Sequence, residues 1–185
     1  ASELCGWIAK GYDVVSLVAS CSLMLKFEWP LLVADNQDVQ NLAKATFDIS
    51  EYIVDISAKE GLAPGMTALD GNVTVHISCH SRAQNMGRKG ADMLKNIPGT
   101  AIEVIERCSG HGGSWGVMKD NFDVALKVGL PVAARAVKVP TPYLVSECPL
   151  ARDHIVQGME RLGGDIQPAN THHHPIQLMA LAYGI

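Results

Sequence analysis

Short apolar runs of strand length alternate with longer segments of helical spacing through most of this chain. The clearest strand-length runs are residues 73–78 (Val-Thr-Val-His-Ile-Ser), 101–106 and 143–146. The first is rich in β-branched residues, which suit a pleated, half-buried surface. Between them the spacing predicts helices over 82–96, stopped by Pro98-Gly99, and over 119–138. Another helix follows Cys148, with Pro149 in its first turn, where a missing N–H is tolerated. Beyond it come a short strand at 165–168 and a last helix opened by Thr171-His172-His173-His174-Pro175. Upstream, a strand at 13–19 leads to Cys21 and an apolar-rich segment ending near Pro30. Leu42, Ala45, Ile49, Tyr52, Ile53 and Ile56 recur at helical spacing and predict one long amphipathic helix over 39–59. The breaker-rich stretch 60–71 reads as a boundary.

Strands alternating with helices imply an α/β fold of parallel-sheet units with flanking helices and right-handed crossovers. Residues that follow such strands emerge at one sheet edge, where open parallel sheets bind ligands. Cys79, Cys108 and Cys148 all stand there, and the histidine tract 172–174 falls on the same edge.

Composition narrows the picture. At 185 residues, 48% hydrophobic and 18% charged, the chain has the make-up of a folded protein with a real core. A net charge of −4 without any block of Lys or Arg speaks against nucleic-acid binding. The longest apolar stretch, residues 14–25, is too short for a transmembrane segment and carries Ser16, Ser20 and Ser22. No secretory signal is visible, although the chain begins at Ala1 rather than Met, which leaves a preceding segment open. Five cysteines, an odd number without paired short spacing, argue for a reducing compartment and a cytoplasmic location.

The three strand-end thiols are the strongest chemical set, because thiolates suit iron–sulfur clusters, zinc and copper(I). Cys148 also opens a helix, where backbone N–H groups favour the thiolate. The plain alternative is that free cysteines are ordinary core residues. In the run Cys108-Ser-Gly110-His111-Gly-Gly-Ser-Trp115-Gly116, glycines such as Gly110 let the backbone approach a ligand and donate N–H bonds to it. His111 can complete a coordination shell short of sulfur, or the segment is only a tight turn. A dinucleotide site is the weaker reading, since Trp115 stands where the fingerprint needs its last glycine. His80, next to Cys79, either reaches the site or caps a helix; Arg82 either balances a bound cluster's charge or is a surface residue. Of the three adjacent histidines, His174 beside Pro175 is the leading metal candidate. Cys21 can serve a second site, and Cys5 reads as incidental. A Cys148–His154 nucleophile and base is conceivable but unspecific.

There is a faint internal repeat: Val18-Ala-Ser-Cys21-Ser-Leu-Met aligns with Val145-Ser-Glu-Cys148-Pro-Leu-Ala. The segments His76-Ile-Ser-Cys79-His-Ser-Arg-Ala-Gln-Asn-Met-Gly87, Arg107-Cys108-Ser-Gly110 with Trp115-Gly116, Glu147-Cys148-Pro149-Leu-Ala151 and the ending from His174 to Gly184 resemble one known pattern. It is that of the cysteine-rich, or CCG, domain family, whose members include one subunit of anaerobic glycerol-3-phosphate dehydrogenase and one of heterodisulfide reductase. The pattern is a Cys after a strand, then Cys-Cys-Gly, then Cys-x-x-Cys, commonly in two copies. The resemblance implies two related CCG-type repeats, residues 1–62 as the C-terminal part of an incomplete first and 63–185 as the second. It implies an iron–sulfur oxidoreductase subunit or electron-transfer module, with a flavoprotein or ferredoxin-like partner and a quinone or disulfide as substrate. Through such a partner the chain would sit at the periphery of the inner membrane.

Two departures qualify this. Ser109 replaces the second Cys of Cys-Cys-Gly, and Ala151 replaces the last Cys. Cys79, Cys108 and Cys148, with His111, His80 or an external ligand, can still hold a [4Fe–4S] cluster with one open iron. The alternative is zinc, or a metal-free structural or interaction module that lost redox activity with the two thiols.

Overall fold

Every strand among the described residues is short, and every pairing is parallel. The computed structural model describes residues 1–163 and 171–185. β1 (Val14–Ser16) pairs with β2 (Thr46–Asp48), while β3 (Val73–His76) lies between β4 (Ile102–Ile105) and β5 (Tyr143–Ser146). Around them run α1 (Ser2–Ile8), α2 (Ala19–Leu23), α3 (Trp29–Leu32), α4 (Gln37–Ala45), α5 (Ile49–Lys59), α6 (Cys79–Ala83), α7 (Lys89–Leu94), α8 (Phe122–Lys138), α9 (Pro149–Arg161) and α10 (Pro175–Ala182). A π-helical turn, Met24–Glu28, joins α2 to α3. The fold is α/β, as the alternating pattern implies. The chain forms two compact units, residues 1–62 with 80–89 and residues 63–79 with 90–185. Among the described residues no helix is long and apolar enough to cross a membrane.

In the first unit the expected single helix over 39–59 is broken by β2. Ala45 and Ile49 flank it at i,i+4 and keep the helical period, which hides the break, but Asp48 starts a new helix. Its carboxylate accepts the Ser50 N–H at 3.0 Å, and Glu51 reaches back to the Asp48 N–H in a capping box. The same carboxylate accepts the Ser22 hydroxyl at 2.8 Å, and the Gln84 amide donates to that hydroxyl at 2.9 Å. Asp48, Ser22 and Gln84 are all buried and form one hydrogen-bonded network with the backbone around them. Asp48→Ala removes a helix cap and leaves the Ser22 hydroxyl only the Ala19 and Val18 carbonyls, at 3.1 and 3.4 Å, to donate to. We expect a loss of about 2–4 kcal/mol in denaturant unfolding.

The expected helix over 82–96 is likewise two pieces, α6 and α7. Asn85 at φ 54° and Gly87 at φ 80° adopt left-handed backbone between them, which an α-helix does not accommodate. The predicted strand at 165–168 lies outside the described residues.

In the second unit β3 is buried along its whole length, as a central parallel strand should be. Ile105, Val132, Ala136, Leu144 and Ile155 form one buried apolar cluster joining β4 and β5 to α8 and α9. Each large side chain of that cluster stabilises by roughly 1.5–3 kcal/mol relative to exposure. Gly158 lets α9 lie close to α8, since a Cβ there would stand 2.9 Å from that of Ala133.

Candidate functional site

The register of the three-stranded sheet decides where the thiols emerge. His76 at the end of β3 pairs with Ile105 of β4 on one side and Ser146 of β5 on the other. Cys79 and Cys108 follow three residues past their strand ends, and Cys148 two residues past its own. All three therefore leave the same C-terminal edge, as the sequence predicts. The strand order β4-β3-β5 means that the chain leaves β3 toward one flank and later returns to the other. This is the kind of switch point at which open parallel sheets hold ligands, and Cys79 follows its central strand.

Cys79 and Cys108 are exposed and Cys148 is half-buried. The Gly110 N–H points at the Cys108 sulfur from 3.4 Å. Cys148 occupies the N-cap of α9, yet its thiol pKa is raised. Burial is the main cause; the N–H groups of Ala151 and Leu150 oppose it, and Cys79 and Asp153 add to it. Desolvation thus outweighs the helix terminus that was expected to favour the anion. The influence of Cys79 also shows that these two thiols are electrostatic neighbours. Among the described residues no group of three or more His, Cys, Asp or Glu stands close enough to hold a single metal ion. The donor chemistry still suits a cluster, whose thiolates bind different irons and stand further apart than ligands sharing one ion.

His111, in the loop after Cys108, is 7% exposed. Its Nδ1 accepts the Gly113 N–H at 3.1 Å, which places the proton of the neutral ring on Nε2. That nitrogen has no hydrogen-bond partner, and the ring stands edge-on to His154 with centroids 6.1 Å apart. His154 is 2% exposed and neither of its nitrogens is partnered, so it forms no dyad with the Cys148 thiol. Sequence reasoning missed the pairing of these two imidazoles, because no local spacing links positions 111 and 154. Burial, then the charge of His154, hold the pKa of His111 below the ordinary imidazole value. The unfolded chain accepts a proton there below about pH 6.5 while the folded chain resists it. Stability is therefore full above that pH and falls as pH drops through it. We expect His111→Gln to flatten the acid side of a stability profile read from denaturant midpoints between about pH 7.5 and 5.

Gly110 earns its place by packing as well as by its φ of 82°. A Cβ there would strike the Ala125 carbonyl of α8, and one at Gly129 would strike the Ser109 carbonyl. The loop after Cys108 is thus seated directly on the backbone of α8. His80 and Arg82 fall in the first unit, with Arg82 exposed. Cys21 and Cys5 also belong to that unit; Cys21 is exposed, and the Cys5 thiol donates to the Asp38 carbonyl at 3.3 Å.

The histidine tract is divided three ways. His172 lies edge-on to Tyr143, His173 pairs with Asp153 at 2.8 Å, and His174 caps α10 by accepting the Ile176 N–H at 3.2 Å. Gln177 completes a capping box with His174, a structural duty for the residue favoured as a ligand. Glu147, fully buried beside Cys148, was not foreseen; its carboxylate accepts the Gly90 N–H at 3.0 Å.

Fold and edge together define an α/β protein that presents three thiols from one parallel sheet. Several named proteins are similar to the chain in sequence. The chain is 23% identical over 94% of its length to one subunit of the anaerobic glycerol-3-phosphate dehydrogenase of Escherichia coli K12, covering 41% of that protein. It is 28% identical over 96% of its length to one subunit of the dihydromethanophenazine:CoB–CoM heterodisulfide reductase of Methanosarcina acetivorans, covering 42% of it. With one subunit of the fumarate reductase (CoM/CoB) of Methanothermobacter marburgensis it shares 27% identity over 94% of its length, covering 33% of that protein. These relatives bear out the resemblance to the cysteine-rich, CCG, family. Each is by name part of a dehydrogenase or reductase, and the chain spans less than half the length of each. No protein-family model matches the chain.

Proposed function

We propose that this chain is an iron–sulfur module of an oxidoreductase and passes electrons within a larger redox assembly. The observation that carries this reading is the shared edge of β3, β4 and β5, from which Cys79, Cys108 and Cys148 emerge as candidate cluster ligands. Ser109 and Ala151 leave the family's five-thiol set two short, so a [4Fe–4S] cluster held here keeps one iron without a protein thiolate. When bound, such a cluster supplies one-electron steps at a potential tuned by its ligands, hydrogen bonds and exposure.

The chain's own residues would do the rest. Gly110 turns an N–H to the Cys108 sulfur, and His111 stands three residues past that cysteine as the candidate proton donor or fourth ligand. The partner would be a flavoprotein or ferredoxin-like protein, and the ultimate acceptor or donor a quinone or a disulfide. The relatives named for glycerol-3-phosphate dehydrogenase and heterodisulfide reductase support that range. The missing thiols favour one other reading, a zinc-binding or metal-free interaction module.

Metal and acid-labile sulfide analysis of anaerobically prepared protein decides between them. Iron with matching sulfide, and a brown colour bleached by dithionite, is the expected result. A colourless protein with stoichiometric zinc would overturn the iron–sulfur reading in favour of the second. Neither metal would end both metal readings.

A further inference from the structure

Ladder hydrogen bonds fix the three strands only as far as their last pairs, and the thiols lie beyond. Ile77 N–H to the Ile105 carbonyl, at 2.9 Å, is a backbone tie just past the end of β3. The loops that carry the sulfurs need some other fixture, and His76 supplies one. It ends β3 and is 1% exposed. Its Nε2 lies 2.8 Å from the Arg107 carbonyl, which can only accept, so Nε2 carries a proton. Its Nδ1 lies 2.9 Å from the Ser146 hydroxyl oxygen and, in the neutral ring, accepts the hydroxyl proton. Ser146 Oγ in turn accepts the Cys148 backbone N–H at 3.3 Å.

One buried ring thus bridges the residue before Cys108 and, through a single hydroxyl, the amide of Cys148. It sits three residues before Cys79 on the same chain. We propose that His76 is a positioning residue that sets the mutual placement of Cys79, Cys108 and Cys148. This goes beyond the iron–sulfur reading, because it concerns the thiols whatever they bind. Hydrogen bonds linked in a chain and shielded from water polarise one another, which suits them to hold a loop at fixed distance. The donor and acceptor on opposite sides of the ring are what matter, more than its bulk.

Substitution separates bulk from bonding. His76→Phe keeps a ring of similar size and loses both bonds; His76→Gln keeps a donor and an acceptor on one planar group. Ser146→Ala cuts only the link to Cys148. Two readouts are taken on each full-length, metal-free variant. One is amide hydrogen exchange over residues 106–111 and 146–149 against exchange in α8. The other is cadmium titration followed by the thiolate-to-metal absorption band.

We expect His76→Phe to speed exchange in both loops and weaken cadmium binding, each by about tenfold or more, with α8 unchanged. Ser146→Ala should loosen 146–149 alone, and His76→Gln should stay near the parent on both measures. Wild-type loop exchange in both His76→Phe and Ser146→Ala would overturn the proposal. So would a His76→Gln variant as impaired as His76→Phe, the mark of a packing role. Should His76→Phe fail to fold, Ser146→Ala and His76→Gln still decide it through exchange. If the parent shows no cadmium–thiolate band, the thiols do not gather on one ion, in keeping with their spacing, and loop exchange alone decides the role of His76.

Discussion

Replacing Gly129 by alanine is expected to lower stability by about 3 kcal/mol or more, a fall of roughly 10 °C in thermal midpoint. The new Cβ would strike the Ser109 carbonyl, so backbone meets backbone and no flexible side chain can move aside. Gly110 faces the mirror situation, since its Cβ would strike the Ala125 carbonyl and stand 2.7 Å from the Gly129 nitrogen. These two glycines seat the Cys108 loop on α8, and enlarging either must lift the loop or bend the helix. Gly90→Ala is the control. There the clash is with the Glu147 side chain rather than with backbone. Circular dichroism melts of the three variants should therefore rank Gly129→Ala and Gly110→Ala well below Gly90→Ala. A Gly129→Ala melt matching the parent would show that the loop does not rest on α8 in this way.

The second large effect concerns metal content. On the iron–sulfur reading, changing Cys79, Cys108 or Cys148 singly to serine should cut the iron retained after anaerobic preparation by about tenfold or more. Cys5→Ser and Cys21→Ser should leave it unchanged, because both belong to the first unit and neither follows β3, β4 or β5. Iron retained in all three strand-end variants would place any cluster elsewhere. Iron lost equally in the Cys21 variant would point to a fold defect or to a site in the first unit.

What could be read from the sequence follows from the range over which each interaction acts. The three strands were legible because β-branched runs and breakers are local signals; the runs ended at 78, 106 and 146, and the paired strands end at His76, Ile105 and Ser146. The interruption at β2 was hidden, since Ala45 and Ile49 on its two sides stay in helical period. The clue was the Asp48-Ile-Ser-Glu51 capping box, a local signal outweighed by periodicity. Asn85 and Gly87 similarly marked the break between α6 and α7. The His111–His154 pair was not legible at all, because α9 and the Cys108 loop must pack before the rings meet. Gly110 shows a subtler gap: its need for freedom was visible, but the surface pressing on it was not. The histidine tract was partly legible, for adjacent side chains diverge, yet the capping role of His174 required Gln177 to be recognised as its partner.

The order of the strands has a consequence for how the protein is made. β3 is synthesised first of its sheet, but β5, whose Ser146 is 70 residues downstream of His76, must arrive to cover its second flank. Until then a nascent chain carries an open strand edge, the feature most prone to mispairing with other chains. Cys148 reaches its place only with that final strand. Any metal held by all three thiols is therefore acquired after translation of the sheet is complete, and an interrupted chain would offer Cys79 and Cys108 without their third companion.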